Sequence, residues 1–163
     1  MHSESSPSRL LQPNADRTHL GWREWLALPA LGIPAIKAKL DTGARSSSLH
    51  VEAIETFEQD HLLHVRFVVR PRRRGLRTVA CAAPVIDRRA VTDSSGHRCE
   101  RWFIRTDIVL AGARFATEIN LTDRRAMLFP LLLGRSALEG RFGIDPALSY
   151  TCPRPTTVAP SPI

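Results

Sequence analysis

The sequence predicts an all-β protein. Apolar and polar residues alternate with period two through most of its middle, turn-forming clusters interrupt that pattern at short intervals, and only one brief stretch near the end has helical character. Along the chain, Trp22, Glu24, Leu26 and Leu28 fall on one strand face. Ile36, Ala38 and Leu40 alternate with Lys37 and Lys39 and lead directly into Asp41. Leu63, Val65, Phe67 and Val69 alternate with His64, Arg66 and Val68, and two further runs cover Leu76 to Ala82 and Pro84 to Val91. The turn Thr92-Asp93-Ser94-Ser95-Gly96-His97 precedes a strand from Cys99 to Leu110, and Ala111-Gly112 reads as a hairpin turn before Arg114 to Leu121. Met127 to Leu133 is an apolar strand broken by Pro130, and Gly134 to Gly140 is the short helix. Many short strands with one late helix indicate a barrel or sandwich.

A chain of 163 residues fits one domain with a single core. Residues 1–19 are polar and proline-dotted and read as a loose arm, 20–150 as the folded domain, and 151–163, with four prolines, as a disordered tail. No run approaches the roughly eighteen consecutive apolar residues of a membrane span, and the opening residues lack the apolar centre of a secretory signal. A cytoplasmic location is the expectation. Cys81, Cys99 and Cys152 match neither a disulfide framework nor a zinc ribbon and read as free thiols.

Charge is more informative. Lys plus Arg total 23 against 16 acidic residues, a net charge of +7, and Lys37 and Lys39 are the only lysines. The excess is therefore arginine, which grips carboxylate or phosphate with two parallel hydrogen bonds. Composition alone leaves open an anionic partner, nucleic acid or acidic peptide, and a merely solvated basic face.

The chemistry-bearing candidate is the turn Asp41-Thr42-Gly43-Ala44-Arg45, delivered by the strand before it. A carboxylate at the end of an apolar strand, on a turn of small residues, is poorly placed for packing and well placed for reaction. Taken alone, Asp-Thr-Gly is also an ordinary Asp turn. A second element adds weight: Leu131-Leu132-Leu133-Gly134-Arg135 is an apolar strand running into Gly-Arg and a helix.

Together with the hairpin around Ser94, Ser95, Gly96 and His97, these segments resemble the retropepsin-like aspartic proteases. The stretches Lys39–Arg45, Val85–His97 and Leu132–Arg135 are similar to a bacterial branch of them labelled ATP-dependent zinc proteases and associated with ATP-grasp ligases that add glutamates to a ribosomal protein. The resemblance covers residues 21 to 150 and implies an acid-protease barrel with one short C-terminal helix. It implies Asp41, Thr42 and Gly43 as the catalytic turn, with Leu132, Leu133, Gly134 and Arg135 packed beneath it and the Ser94–His97 hairpin as a flap. Catalysis of this kind uses two carboxylates sharing one proton, one activating water while the other protonates the carbonyl oxygen. With one such motif here, the second Asp41 would come from a twofold mate, and Thr42 would bond across the axis. No cofactor is called for. The zinc in the branch label has little support in the residues, which include no His-Glu-x-x-His helix and no Gly-x-x-x-x-Gly-Lys loop. His61 and His64 fall on opposite strand faces, and His97 and Cys99, the remaining metal candidate, read better as an exposed turn histidine beside a strand cysteine, so no metal ligands are expected.

One departure bears on specificity. Retropepsins commonly carry an acid where this chain has Arg45, which would place Arg45 and Arg135 together unless Asp145 or Glu139 lies between them. The alternative use of Arg45, with Arg88, Arg89, Arg98 or Arg101 from the flap arms, is to read acidic side chains of a peptide or polyglutamylated protein. Competing readings are a non-catalytic arginine-rich module binding RNA or protein, built around Arg70-Pro71-Arg72-Arg73-Arg74-Gly75, an inert protease fold used for assembly, and a zinc peptidase. A single Tyr and few aromatics to stack bases make nucleic acid the weaker partner.

Overall fold

The computed structural model describes residues 17–72 and 74–156. Its strands are Thr18–Gly21 (β1), Arg23–Leu28 (β2), Ile33–Leu40 (β3), Ser47–His50 (β4), Glu52–Gln59 (β5), Leu62–Val69 (β6), Val79–Pro84 (β7), Asp87–Thr92 (β8), Arg98–Leu110 (β9), Ala113–Thr122 (β10), Leu131–Leu133 (β11) and Phe142–Asp145 (β12). A single helical turn, α1, spans Arg135–Leu138. The fold is all-β, as the alternation predicts. Its strands divide among three sheets and do not form one closed barrel.

The largest sheet has the order β10-β4-β11-β3-β2-β9-β8, and a further β9–β10 pairing folds it back on itself. Inward positions supply the core: Leu26 and Leu28 from β2, Ile36, Ala38 and Leu40 from β3, Leu49, Ile104, Ile108, Ile119, Leu131 and Leu133. Lys37 and Lys39 face outward, which is the alternation read directly as inside and outside. A second sheet, β5-β6-β7, packs Val65, Phe67 and Val69 against the same core, while β5 stays largely exposed. The third is the parallel pair β1–β12.

Boundaries differ from expectation where turn chemistry prevails. The apolar run from Met127 shortens to Leu131–Leu133, because the amide of Met127 bonds the carbonyl of Arg124 in a turn and Pro130 brings no N–H to a ladder. The helix contracts to one turn, closed where the amide of Arg141 reaches the carbonyl of Leu138. Thr18 and His19, expected in the arm, pair with Phe142 and Gly143. Residues 1–16 and 157–163 of the expected arm and tail lie outside the described residues. The charged residue on the inner face of β2, Glu24, is fully buried. Its carboxylate accepts the amides of Gly21 and Thr151 at 2.9 Å, that of Cys152 at 3.1 Å, and the Thr151 hydroxyl. Burial alone would raise its pKa, but these hydrogen bonds outweigh it and hold the carboxyl below its usual range. Among the described residues, no helix is long and apolar enough to cross a membrane.

Candidate active site

β3 ends at Leu40, whose partner is Leu133 in the parallel β3–β11 pairing, and the amide of Asp41 then bonds the Leu133 carbonyl at 2.8 Å. The chain turns through Thr42 and Gly43, with the Gly43 amide donating to Asp41 Oδ1 at 2.9 Å. From the far side of the turn, Arg135 N reaches the Ala44 carbonyl (2.8 Å) and Ser136 N the Arg45 carbonyl (3.1 Å). Arg135 Nη1 reaches the Thr42 carbonyl (2.9 Å). The Leu133-Gly134-Arg135 segment thus braces the Asp41 turn from beneath. Glycine is required at 134: a Cβ there would lie 2.5 Å from the Ser46 carbonyl oxygen, and the Gly134 amide donates to buried Ser47 Oγ.

Asp41 opens onto a cleft of about 1020 Å³ between this turn and the β8–β9 hairpin. Asp93 organises the hairpin tip. Its Oδ1 accepts the Ser95 amide and hydroxyl and the His97 amide, and the Ser95 hydroxyl contributes most to holding the carboxyl below its usual range. Gly96 takes φ +83°, the left-handed conformation suited to glycine. Thr92, Asp93 and Ser94 line the cleft, and Ser95, Gly96 and His97 form the exposed tip beyond them.

The expected site residues fall into separate groups. Asp41, Gly43, Arg45, Ser94, Arg101 and Leu132 line the cleft, while Thr42, Leu133, Gly134 and Arg135 support the turn. Arg88 does not face the cleft: strand alternation turns it outward, where it pairs with Glu100 at 3.0 Å over the Trp102 ring. Arg89 takes the cleft side, tied to Asp87 and Glu118. Asp145 and Glu139, the acids considered for Arg45 and Arg135, form no ion pair among the described residues, and Asp145 instead accepts the Ala147 amide.

Arg101 is the unusual cation. It is 6% exposed, and its Nη1 donates to Asn120 Oδ1 at 3.0 Å and Ser48 Oγ at 3.3 Å, with Nε on Cys99 Sγ. Asn120 is in turn held by Ser46 and Ser47. No carboxylate pairs with Arg101 among the described residues, and Nη2 has no protein partner there. The sequence reading missed Ser46, Ser48, Asn120 and Arg124 as parts of the site. The available signal was an asparagine within the apolar run Ile119–Leu121. No group of three or more His, Cys, Asp or Glu residues converges in a metal-holding arrangement among the described residues.

The family model described as "Retropepsin-like aspartic endopeptidase RimB" matches residues 19–155. The chain belongs to the RimB-like family. A Desulfotalea psychrophila protein named "Probable alpha-L-glutamate ligase" is 47% identical over 130 residues, covering 79% of this chain and 28% of that protein. One of the same name from Parasynechococcus marenigrum is 40% identical over 132 residues, 80% of this chain and 28% of its own. The chain thus spans under a third of these curated relatives. A crystal structure of a Legionella pneumophila protein of unknown function superimposes with a TM-score of 0.68 at 30% identity, covering 82% of this chain and 97% of that one. The RimB-like match includes both the Asp41 turn and the Leu132–Arg135 brace.

Proposed function

We propose that this protein is an aspartic endopeptidase, active as a homodimer in which two Asp41 carboxylates activate one water, and that it cuts acidic, glutamate-rich peptide. The observation that carries this reading is the position of Asp41: its carboxylate sits on a turn fixed from both sides by backbone hydrogen bonds and opens into a peptide-sized cleft under a hairpin. Fixed geometry is what carboxylate-assisted attack of water needs, because the reacting groups must meet in line without reorganisation. A single such turn supplies one of the two carboxylates, so a second copy completes the pair.

The acidic substrate is supported by Arg45, Arg101 and Arg124 in the cleft wall, none of them in an ion pair with a carboxylate among the described residues. It is also supported by relatives whose name makes them ligases of glutamate and in which this domain is one part of a longer chain. A peptidase beside a glutamate-adding enzyme would act on the bonds that enzyme makes. The test is direct: octaglutamate and octaglutamine are incubated with the unmodified protein and with Asp41→Asn, and products are read by mass spectrometry. Cleavage of octaglutamate by the unmodified protein alone is expected, and equal cleavage by both proteins would overturn the assignment.

A further inference from the structure

A second recess, of about 460 Å³, opens on the outward face of β2 and β3, walled by Arg23, Trp25, Lys37, Arg72, Phe129 and Tyr150. The Arg23 guanidinium lies between the rings of Trp22 (4.6 Å) and Tyr150 (4.8 Å). The Lys37 ammonium stands over Trp25 at 5.2 Å and Tyr150 at 5.4 Å, and Arg154 over Trp25 at 5.0 Å. None of these three cations is ion-paired among the described residues, and Arg23 Nε is buried without a hydrogen-bond partner there. Aromatic faces hold the charges in fixed positions without neutralising them.

Cross-strand register connects this recess to the cleft. Arg23 pairs with Lys39, Lys39 with Leu132, Leu132 with Ser48, and Ser48 with Asn120. Register partners project to the same side of a sheet. Leu132 and Ser48 line the cleft and Arg23 lines the recess, so one outward row joins the two with Lys39 between them. Strands lie about 4.8 Å apart, which puts Arg23 about 10 Å from Leu132, a distance an extended peptide covers in about three residues.

We infer that the recess is a distal subsite for an acidic polypeptide lying in the cleft, taking carboxylates about three residues beyond the one that passes Leu132. This rests on the acidic-peptide reading above and adds a length requirement to it. Arg23 and Lys39 are cross-strand partners and Lys37 is the next outward residue along β3, so three positive charges with no acid among them occupy neighbouring outward positions, which suits an extended acidic chain that presents a carboxylate to the surface at every second residue.

The test uses full-length Asp41→Asn protein, so that binding is measured without turnover, against fluorescently labelled tetraglutamate and octaglutamate. Octaglutamate should bind at least tenfold tighter, and octaglutamine should show no such advantage. Lys37→Glu and Lys39→Glu, both at exposed strand positions, should each reduce the length advantage by about fivefold, roughly what one well-placed exposed charge pair contributes. A length advantage that survives both substitutions overturns the subsite. So does a single-stranded oligonucleotide of equal charge that binds more tightly than octaglutamate and is weakened as much by Lys37→Glu, which would make the recess a nucleic-acid site. A Lys37→Glu protein that dissociates a dimer by sedimentation would make it a subunit interface. The two readings fail separately: a length advantage lost in Lys37→Glu without any hydrolysis by the unmodified protein keeps the subsite and removes the peptidase, and the reverse pattern keeps the peptidase alone.

Discussion

Arg135 donates through Nη1 to the carbonyl oxygen of Thr42 across 2.9 Å, so the arginine of the Gly-Arg segment grips the backbone of the very turn that carries Asp41. This resolves the like-charge problem posed by Arg45. Arg135 has a backbone acceptor of its own, and Arg45 lies exposed along the cleft wall, its carbonyl bonded to the Ser136 amide. The two arginines meet the same loop through different atoms and need no acid between them.

The brace predicts a steric and a polar phenotype. Gly134→Ala places a Cβ 2.5 Å from the Ser46 carbonyl oxygen, and the facing atoms are backbone that cannot rotate aside. The expected loss is about 1–3 kcal/mol of stability, the range for overpacking, read by denaturant unfolding. Activity should fall further than stability, because the Asp41 turn must shift. Arg135→Lys should keep the fold and lower kcat more than it raises KM, since an ammonium reproduces the charge without the guanidinium's planar, directed donors.

Shared-site chemistry predicts a concentration dependence. Specific activity of the unmodified protein should fall on dilution in step with loss of dimer, followed by sedimentation over the same range. Mixing with excess Asp41→Asn should suppress activity, because each mixed dimer holds one carboxylate and one amide. A chelator should leave turnover unchanged. Full activity in a species that sediments as monomer would remove the shared site.

Much of this site was legible in the chain because it depends on local order: Lys39-Leu40-Asp41 alternates, Gly43 follows, and Leu132-Leu133-Gly134-Arg135 repeats the strand-to-glycine pattern. Sequence failed where long-range packing decides. Arg101 and Arg88 both read as flap-arm cations, yet one is buried on Asn120 and the other pairs with Glu100 in solvent. Strand parity in the β8–β9 ladder separates them, since Arg101 is the partner of Arg89 on the cleft side and Arg88 the partner of Trp102 on the other. Glu24 was placed on the correct strand face, but its role depended on Thr151 and Cys152, distant in sequence and belonging to a segment whose prolines suggest a tail.

Glu24 gives an acid-dependent prediction. Its folded pKa lies below the ordinary value of 4.5, so the unfolded chain takes up the proton first as pH falls. The stability it contributes is complete above that unfolded value and is lost as pH drops through the folded one. Glu24→Gln should flatten the stability profile below about pH 4.5 and cost about 1–3 kcal/mol at neutral pH, because an amide NH2 would face N–H donors where a carboxylate oxygen accepts them. Unfolding monitored from pH 7 to 3 in both proteins checks this. Parallel profiles would assign the acid sensitivity to other carboxylates.

Two cleft arginines should separate by their response to salt. Arg45 is exposed, so its contribution to choosing Glu over Gln is limited to about 0.2–1 kcal/mol, at most about fivefold in kcat/KM, and should fade as salt shortens the screening length from about 8 Å at physiological strength to about 3 Å at 1 M. Arg101 is 6% exposed and already held in place by Asn120 and Ser48, so little side-chain freedom remains to be lost when a carboxylate arrives. A charge-assisted bond there is worth about 1.5–3 kcal/mol, tenfold or more, and is screened far less. Arg45→Ala should therefore lower the Glu-over-Gln preference at low salt and barely alter it at 1 M. Arg101→Lys, which retains the charge but not the fork, should lower the preference at both. Measuring kcat/KM for octaglutamate and octaglutamine at the two ionic strengths distinguishes them. If Arg101→Lys lowered stability with selectivity intact, the buried cation would be a structural strut for the Ser46–Ser48 segment and not a reader of substrate.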